Sequence, residues 1–301
     1  MTLKGEFEFH FHADDSASHE LGHFKWTVFE NNYCPTTGKD RSCTTLTCEP
    51  LAKSSLLLWS CLAKGAFEYV SADGTKKAAF YQGSARFNER HKVIHVHASE
   101  PSVKKAYEAA DTDDDFYPIG SVYIEIVESF IADLSKPDNP LIEDPSDAAK
   151  IKIGEEEIWV SKKVLGYHSL FFDDLFTKDS KKKTEDSYEL KDIKIDEFMH
   201  FLALIHDIRI PIDQDSVTYL LELGEQFLCK TVLLRCEDYL RIADDRIIPL
   251  QEKFRLANRF KLNQLLMETA DKIDLDDLKT MLRAEYTPFA MELIVQKMST
   301  F

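Results

Sequence analysis

Up to about residue 135 the apolar positions recur every second residue. Phe7, Phe9 and Phe11 alternate with Glu6, Glu8, His10 and His12. Phe67-Glu68-Tyr69-Val70, Val93 to His97 and Val122 to Val127 repeat the pattern. Successive strand side chains point to opposite faces, so this spacing predicts half-buried strands. Ala72-Asp73-Gly74-Thr75 supplies a hairpin turn, because Asp-Gly tolerates positive φ. Asn31 to Cys48 holds Pro, Gly and several Thr and reads as an irregular loop. Short strands separated by turns predict an antiparallel β-sandwich.

From Ser135 to Pro145 the chain has three prolines and little apolar content. Proline fixes φ and removes an amide donor, so this stretch reads as a linker. Two strand-like pieces follow, Ala149 to Ile153 and Glu157 to Val160, around a turn at Gly154. Then the period changes. Val164, Leu165, His168, Phe172, Leu175 and Phe176 share one helical face, with Ser161 at the N-cap. After a strand-like Tyr188-Glu189-Leu190, Asp196 is read as the cap of a helix carrying Phe198, Leu202 and Ile205. Asp215 is read as the cap of another carrying Val217, Leu220, Leu221, Gly224 and Phe227. Further helices are expected over Val232 to Leu240, Leu250 to Arg259, Asn263 to Ala270, Leu275 to Leu282 and Pro288 to Lys297. Thr287-Pro288 is a start signal, since proline suits the first helical position. No repeat recurs at a fixed period.

Composition narrows the function. Of 301 residues 44% are apolar, enough for ordinary cores, and the length suggests more than one domain. The net charge of −16 repels nucleic acid, and no basic stripe interleaves with aromatics. Lys181-Lys182-Lys183 reads as a solvated loop. The first residues open no apolar stretch of the signal-peptide kind, and Leu56-Leu57-Leu58-Trp59 is too short to span a bilayer. The expectation is an intracellular chain, cytoplasmic or nuclear, with no membrane contact and six cysteines as free thiols.

Candidate chemistry is sparse. His10 with His12, and His95 with His97, form two HxH pairs, and i, i+2 on a strand share a face as zinc ligands require. A zinc-dependent hydrolase in the first domain is therefore one reading. Against it, Phe7, Phe9 and Phe11 take the buried face, which puts His10 and His12 in solvent. Cys34, Cys43, Cys48 and Cys61 lack zinc-knuckle spacing, and Cys229 and Cys236 sit on helical faces as core residues. Asp111-Thr112-Asp113-Asp114-Asp115 lacks the glycine and closing glutamate of a calcium loop. Neither a GxSxG nucleophile motif nor a glycine-rich phosphate loop occurs. No catalytic residue, metal or cofactor is assigned, and the chain is read as no enzyme.

The residues themselves carry a resemblance. Val160-Ser161-Lys162-Lys163-Val164-Leu165, continuing through His168-Ser169-Leu170-Phe171-Phe172 to Leu175-Phe176, resembles the BTB (POZ) signature. Glu189-Leu190-Lys191-Asp192-Ile193 with Phe198 resembles that family's next strand and helix. Leu220-Leu221-Glu222-Leu223-Gly224-Glu225-Gln226-Phe227 resembles its "LLxLAxxF" helix, with Gly224 where Ala is usual. Cys236-Glu237-Asp238-Tyr239-Leu240 resembles its "CExxL" helix. The helices after residue 242 resemble the 3-box or BACK-like extension of BTB adaptors. Gly22-His23-Phe24-Lys25-Trp26-Thr27-Val28 resembles the "GxxWxL" strand of MATH (TRAF-like) domains, and Phe67 to Lys76 their "FxFxLxNxxG" hairpin.

The resemblance implies an α+β chain of four parts. A MATH-like antiparallel β-sandwich covers 1–132 and a linker 133–145. A BTB/POZ α/β domain covers 146–241 and a helical extension 242–301. It further implies a substrate-recognition adaptor of a cullin-3 RING ubiquitin ligase. Its partners would be protein partners: cullin-3, a substrate peptide and a second copy in a homodimer. Counted from Phe176, the family's cullin-contacting hydrophobic-x-Glu motif falls on Ser180-Lys181-Lys182, which carries neither the apolar residue nor the acid. The aromatic usual at the end of the following helix is His206. Asp147 and Lys162 occupy the family's acidic and basic pocket positions, one residue further apart than usual. The family's aromatic peptide platform would lie near residues 90–97, where this chain offers His91, Val93, Ile94, His95, Val96 and His97. The helix that precedes the first strand in dimeric BTB domains is replaced by the proline-rich stretch. A BTB scaffold without ligase recruitment therefore stands beside the ligase reading.

Overall fold

The structure is a computed structural model that describes residues 2–10, 16–31, 43–70, 77–96, 119–179, 187–274, 276–277 and 286–299. The chain divides into two compact units, Met1–Asp133 and Leu134–Phe301.

The first unit has two four-stranded sheets. Strands β1 (Leu3–His10), β8 (Ile119–Asp133), β5 (Leu57–Val70) and β6 (Lys77–Asn88) form one, in that order. Strands β2 (Ser16–Leu21), β3 (Phe24–Asn31), β4 (Cys43–Pro50) and β7 (Val93–Val96) form the other. All pairings are antiparallel. Phe24, Trp26 and Val28 alternate along β3 and are buried against Trp59, Cys61 and Phe67 of β5 and Phe87 of β6. The rings meet across the layers: Phe24 lies 5.6 Å from Trp59, and Trp26 meets Phe87 edge-on at 5.2 Å. This is the expected sandwich. Gly22, at φ +65°, makes the two-residue turn from β2 to β3, a conformation that favours glycine. The Asp73-Gly74 turn lies outside the described residues, but β5 and β6 pair out to Val70 opposite Lys77.

One part of the expectation fails. Cys43–Pro50 is a strand rather than loop, with Cys43, Thr44, Thr45, Leu46 and Cys48 buried. Threonine is β-branched and suits a pleated surface. Its hydroxyl is satisfied here: Thr45 Oγ1 meets His95 Nδ1 at 3.0 Å, and Thr47 Oγ1 donates to the Thr27 carbonyl.

In the second unit β9 (Ala148–Ile153) and β10 (Glu156–Ser161) form a hairpin through Gly154 at φ +59°. β11 (Ser187–Leu190) adds parallel to β9. Eight helices are described. These are α1 (Lys162–His168), α2 (Leu170–Asp179), α3 (Ile195–Ile205), α4 (Val217–Gln226) and α5 (Lys230–Ile242). Beyond them lie α6 (Leu250–Phe260), α7 (Asn263–Lys272) and α8 (Pro288–Ser299). Most of the helix expected over Leu275 to Leu282 lies outside the described residues. α3 is buried almost all round, from Phe198 to Ile205, which marks it as the central helix.

The single helix expected from Ser161 is broken in two. Ser169 is extended (φ −139°, ψ 117°) and buried. Its hydroxyl donates to the Phe227 carbonyl at 2.5 Å and accepts from the Phe172 amide at 3.2 Å, so it ends α1 and caps α2. Two other caps differ. Asp196 lies inside the first turn of α3, where a carboxylate favours the helix dipole, and Lys194 takes the N-cap position. Before α4 it is Asp213, not Asp215, that accepts the Ser216 amide, at 2.8 Å.

The proline-rich stretch is anchored on the second unit. Leu134 is fully buried, and its carbonyl accepts from the Trp159 amide at 2.7 Å. Asn139 is buried and donates to the carbonyls of Lys136 and Trp159.

Candidate interaction faces

Four phenylalanines surround Phe227 at the end of α4. Its ring lies 4.9 Å from Phe172, 5.2 Å from Phe171, 5.4 Å from Phe201 and 5.7 Å from Phe198. This cluster fixes α2, α3 and the α4–α5 junction as one face. On it Leu170 and Leu228 stay exposed and line a shallow depression with Phe171, Asp173, Asp174 and Lys178.

His206 follows α3 and is half-buried. Loss of water around the ring, with a lesser push from His168, lowers its pKa to about 4. His168 ends α1 and is lowered too, by burial first and then by Arg235. Its Nδ1 meets Thr231 Oγ1 at 3.0 Å. Arg235 Nη2 pairs with Asp207 Oδ1 at 2.7 Å, and that bond holds the Asp207 carboxyl below its ordinary range. Both histidines are therefore neutral near pH 7. His206 thus presents a neutral imidazole at the end of α3.

Ser180, Lys181 and Lys182 lie outside the described residues. Asp147 is placed at the start of α1. Its Oδ1 accepts the Lys163 amide at 2.8 Å, and its Oδ2 accepts the Ser161 hydroxyl, which itself caps the Val164 amide at 3.1 Å. Lys162 is the half-buried first residue of that helix. Asp147 thus supports the N-cap Ser161 and takes a further first-turn amide, a structural use that the sequence spacing did not reveal.

In the first unit, Ile94 of β7 and Tyr81 of β6 line an apolar cleft with Trp26, Leu46 and Phe67. His95 is tied to Thr45. Of the other candidate ligands, His12 and His97 lie outside the described residues, as does the His10 side chain. Among the described residues no group of three His, Cys, Asp or Glu side chains could hold a metal ion. No described helix is long and apolar enough to cross a membrane. Cys43, Cys48, Cys61, Cys229 and Cys236 are buried free thiols. Burial drives the Cys48 thiol far up, with neighbouring Cys61 adding to it, and drives Cys236 up to about 12.

Residues 143–242 match the BTB/POZ domain model. The chain is 24% identical over 264 residues to BTB and MATH domain-containing protein 36 of Caenorhabditis elegans, covering 82% of this chain and 77% of that protein. It is 31% identical over 93 residues to BTB and MATH domain-containing protein 38 of the same organism, covering 31% of this chain and 24% of that protein. Among solved structures, the BTB domain of zebrafish PATZ1 is 19% identical with a TM-score of 0.28, over 32% of this chain and 75% of that chain. The BTB domain of human Gigaxonin is 21% identical with a TM-score of 0.27, over 30% of this chain and 75% of that chain. Residues 143–242 thus match the BTB/POZ domain, and the chain is similar over 82% of its length to BTB and MATH domain-containing protein 36, which supports a protein-interaction adaptor.

Proposed function

We propose that the chain is the substrate-recognition subunit of a cullin-3 RING ubiquitin ligase, and that it works as a homodimer inside the cell. The observation that carries this is the pairing of a β-sandwich with a BTB domain in one chain. The sandwich, over 1–132, takes a substrate peptide. The BTB domain, over 146–241, takes the cullin through the segment Ser180-Lys181-Lys182 and the α3 end at His206. The extension, 242–301, continues the BTB domain. Such a chain does no bond chemistry. Tethering raises the effective concentration of the substrate beside the ligase, and two copies add avidity. Titration of the full chain with the cullin-3 N-terminal domain tests this: micromolar binding is expected, and its absence with folded protein refutes the ligase role.

A second reading, a BTB scaffold that recruits no ligase, is favoured by the residues at 180–182. Replacing an apolar anchor and an acid by serine and lysine removes contacts of the kind that dominate interfaces. The pair Ser180→Leu and Lys182→Glu separates the two. If it creates cullin binding that the natural chain lacks, the scaffold reading holds.

A further inference from the structure

Cys48 and Cys61 face each other across the two sheets of the first unit. Cys48 of β4 lies opposite Trp26 in one sheet, and Cys61 of β5 lies opposite Phe87 in the other. Trp26 and Phe87 meet edge-on at 5.2 Å between the layers, so both cysteines stand beside the same ring pair. Both are fully buried in one core cluster, and a thiol–thiol hydrogen bond joins them. In a β-sandwich, cysteines that face each other from two sheets beside a tryptophan are placed for an inter-sheet disulfide. Here both thiols are free.

Burial sets when the pair reacts. An oxidant has no access to fully buried sulfur, and burial pushes the Cys48 thiol far up, away from the nucleophilic thiolate. The cover beside Cys48 is thin, however. The edge strand β7 is four residues long and pairs with Thr44 to Thr47. Beyond that pairing, the Cys48 amide donates to the Lys92 carbonyl at 2.9 Å. A short edge strand parts at lower cost than the core strands.

We propose that Cys48 and Cys61 form an oxidation site, at which a hydroperoxide converts the pair into a disulfide that staples the two sheets. As β7 parts, Cys48 meets water and loses its proton. The thiolate attacks one peroxide oxygen; the S–O bond forms, the O–O bond breaks, and the departing hydroxide takes up the proton. When the strands close, the Cys48 sulfenic acid meets Cys61. The Cys61 sulfur attacks the Cys48 sulfur, the S–S bond forms, the S–O bond breaks, and water leaves with the Cys61 proton. Two thiols thereby give two electrons and two protons to the peroxide, which becomes two waters.

The reduced full chain treated with hydrogen peroxide tests this. After the remaining thiols are blocked and the chain digested, mass spectrometry should find the Cys48 and Cys61 peptides linked, and dithiothreitol should separate them. In the oxidised chain, hydrogen exchange at the amides of β4 and β5 should slow about a hundredfold, while exchange in α4 and α5 stays unchanged. Cys61→Ala should lose both the link and the slowing. If that variant fails to fold, the mapping and exchange on the natural chain decide alone. A link from Cys48 to any other cysteine overturns the proposal. So does sulfinic or sulfonic acid at either position without a link, or a link that leaves exchange unchanged. So do two free thiols remaining after the β4 amides have exchanged in peroxide.

Discussion

Glu237 Oε1 accepts the backbone amide of Leu265 at 2.9 Å and that of Gln264 at 3.0 Å. Glu237 belongs to α5 inside the BTB domain, whereas Leu265 lies in the first turn of α7 beyond it. The carboxylate is buried and meets the positive end of a helix, which satisfies amides that have no partner within the helix. Nearby, Arg241 Nη2 pairs with Glu268 Oε1 at 2.7 Å. Helices α5 and α7 are therefore joined by charged groups.

Removal of this cap should loosen the extension. Glu237→Ala leaves two amides unsatisfied and is expected to cost about 2 kcal/mol. Glu237→Gln keeps an oxygen acceptor without the charge and should cost about half as much, on the order of 1 kcal/mol. Urea unfolding of both variants beside the natural chain gives the order. Equal stability of all three would refute the capping role.

Ser169→Ala should destabilise the α1–α2 corner. The hydroxyl serves both the Phe172 amide and the Phe227 carbonyl in a buried position. Its loss strands both groups and is expected to cost about 2 kcal/mol. Ser169→Thr can make the same bonds, so a chemical denaturation series should rank natural, threonine, alanine.

His206 makes stability depend on pH. Its pKa is about 4 in the fold, against about 6.5 in an unfolded chain. The unfolded state binds the proton first, so this contribution is complete above pH 6.5 and is lost as pH falls from 6.5 toward 4. The shift corresponds to about 3 kcal/mol at most. His206→Gln should flatten the stability curve over that window. A variant curve parallel to the natural one would show that His206 titrates normally.

Much of this was legible because motif residues are core residues. Leu165, Phe172 and Phe176, then Leu220, Leu221 and Phe227, then Cys236 and Leu240 are all buried, so the recurring letters mark the interior. The sandwich showed itself through the alternation at Phe7 and Phe9, at Phe67 to Val70 and at Val122 to Val127. The break at Ser169 was hidden because the apolar spacing stays in helical phase across it; periodicity reports faces, not continuity. β4 was hidden because its threonines read as polar when the hydroxyl partners of Thr45 and Thr47, His95 and Thr27, lie far away in sequence. At the candidate face the decisive fact is conformational. Leu228 reads as one more apolar residue after Phe227, and only its left-handed backbone and exposure set it apart. Gly224, which departs from the usual alanine, is explained by Leu233: an added Cβ would lie 2.9 Å from Leu233 Cδ2.

The thiols provide a last test of the two cores together. Cys43, Cys48 and Cys61 are buried in the sandwich, and Cys229 and Cys236 among the BTB helices. The thiolate is the reactive form, and burial disfavours it at Cys48, at Cys229 and at Cys236, whose thiol is pushed up to about 12. In the native chain at pH 8, a disulfide reagent such as DTNB should react only slowly with Cys43, Cys48, Cys61, Cys229 and Cys236. All six cysteines should react once the chain is denatured. Because opening must precede reaction, the slow phase of each unit reports its own local stability. Glu237→Ala should accelerate Cys229 and Cys236 while leaving the three sandwich cysteines unchanged. Acceleration of all five by the same factor would instead show the chain opening as a single unit.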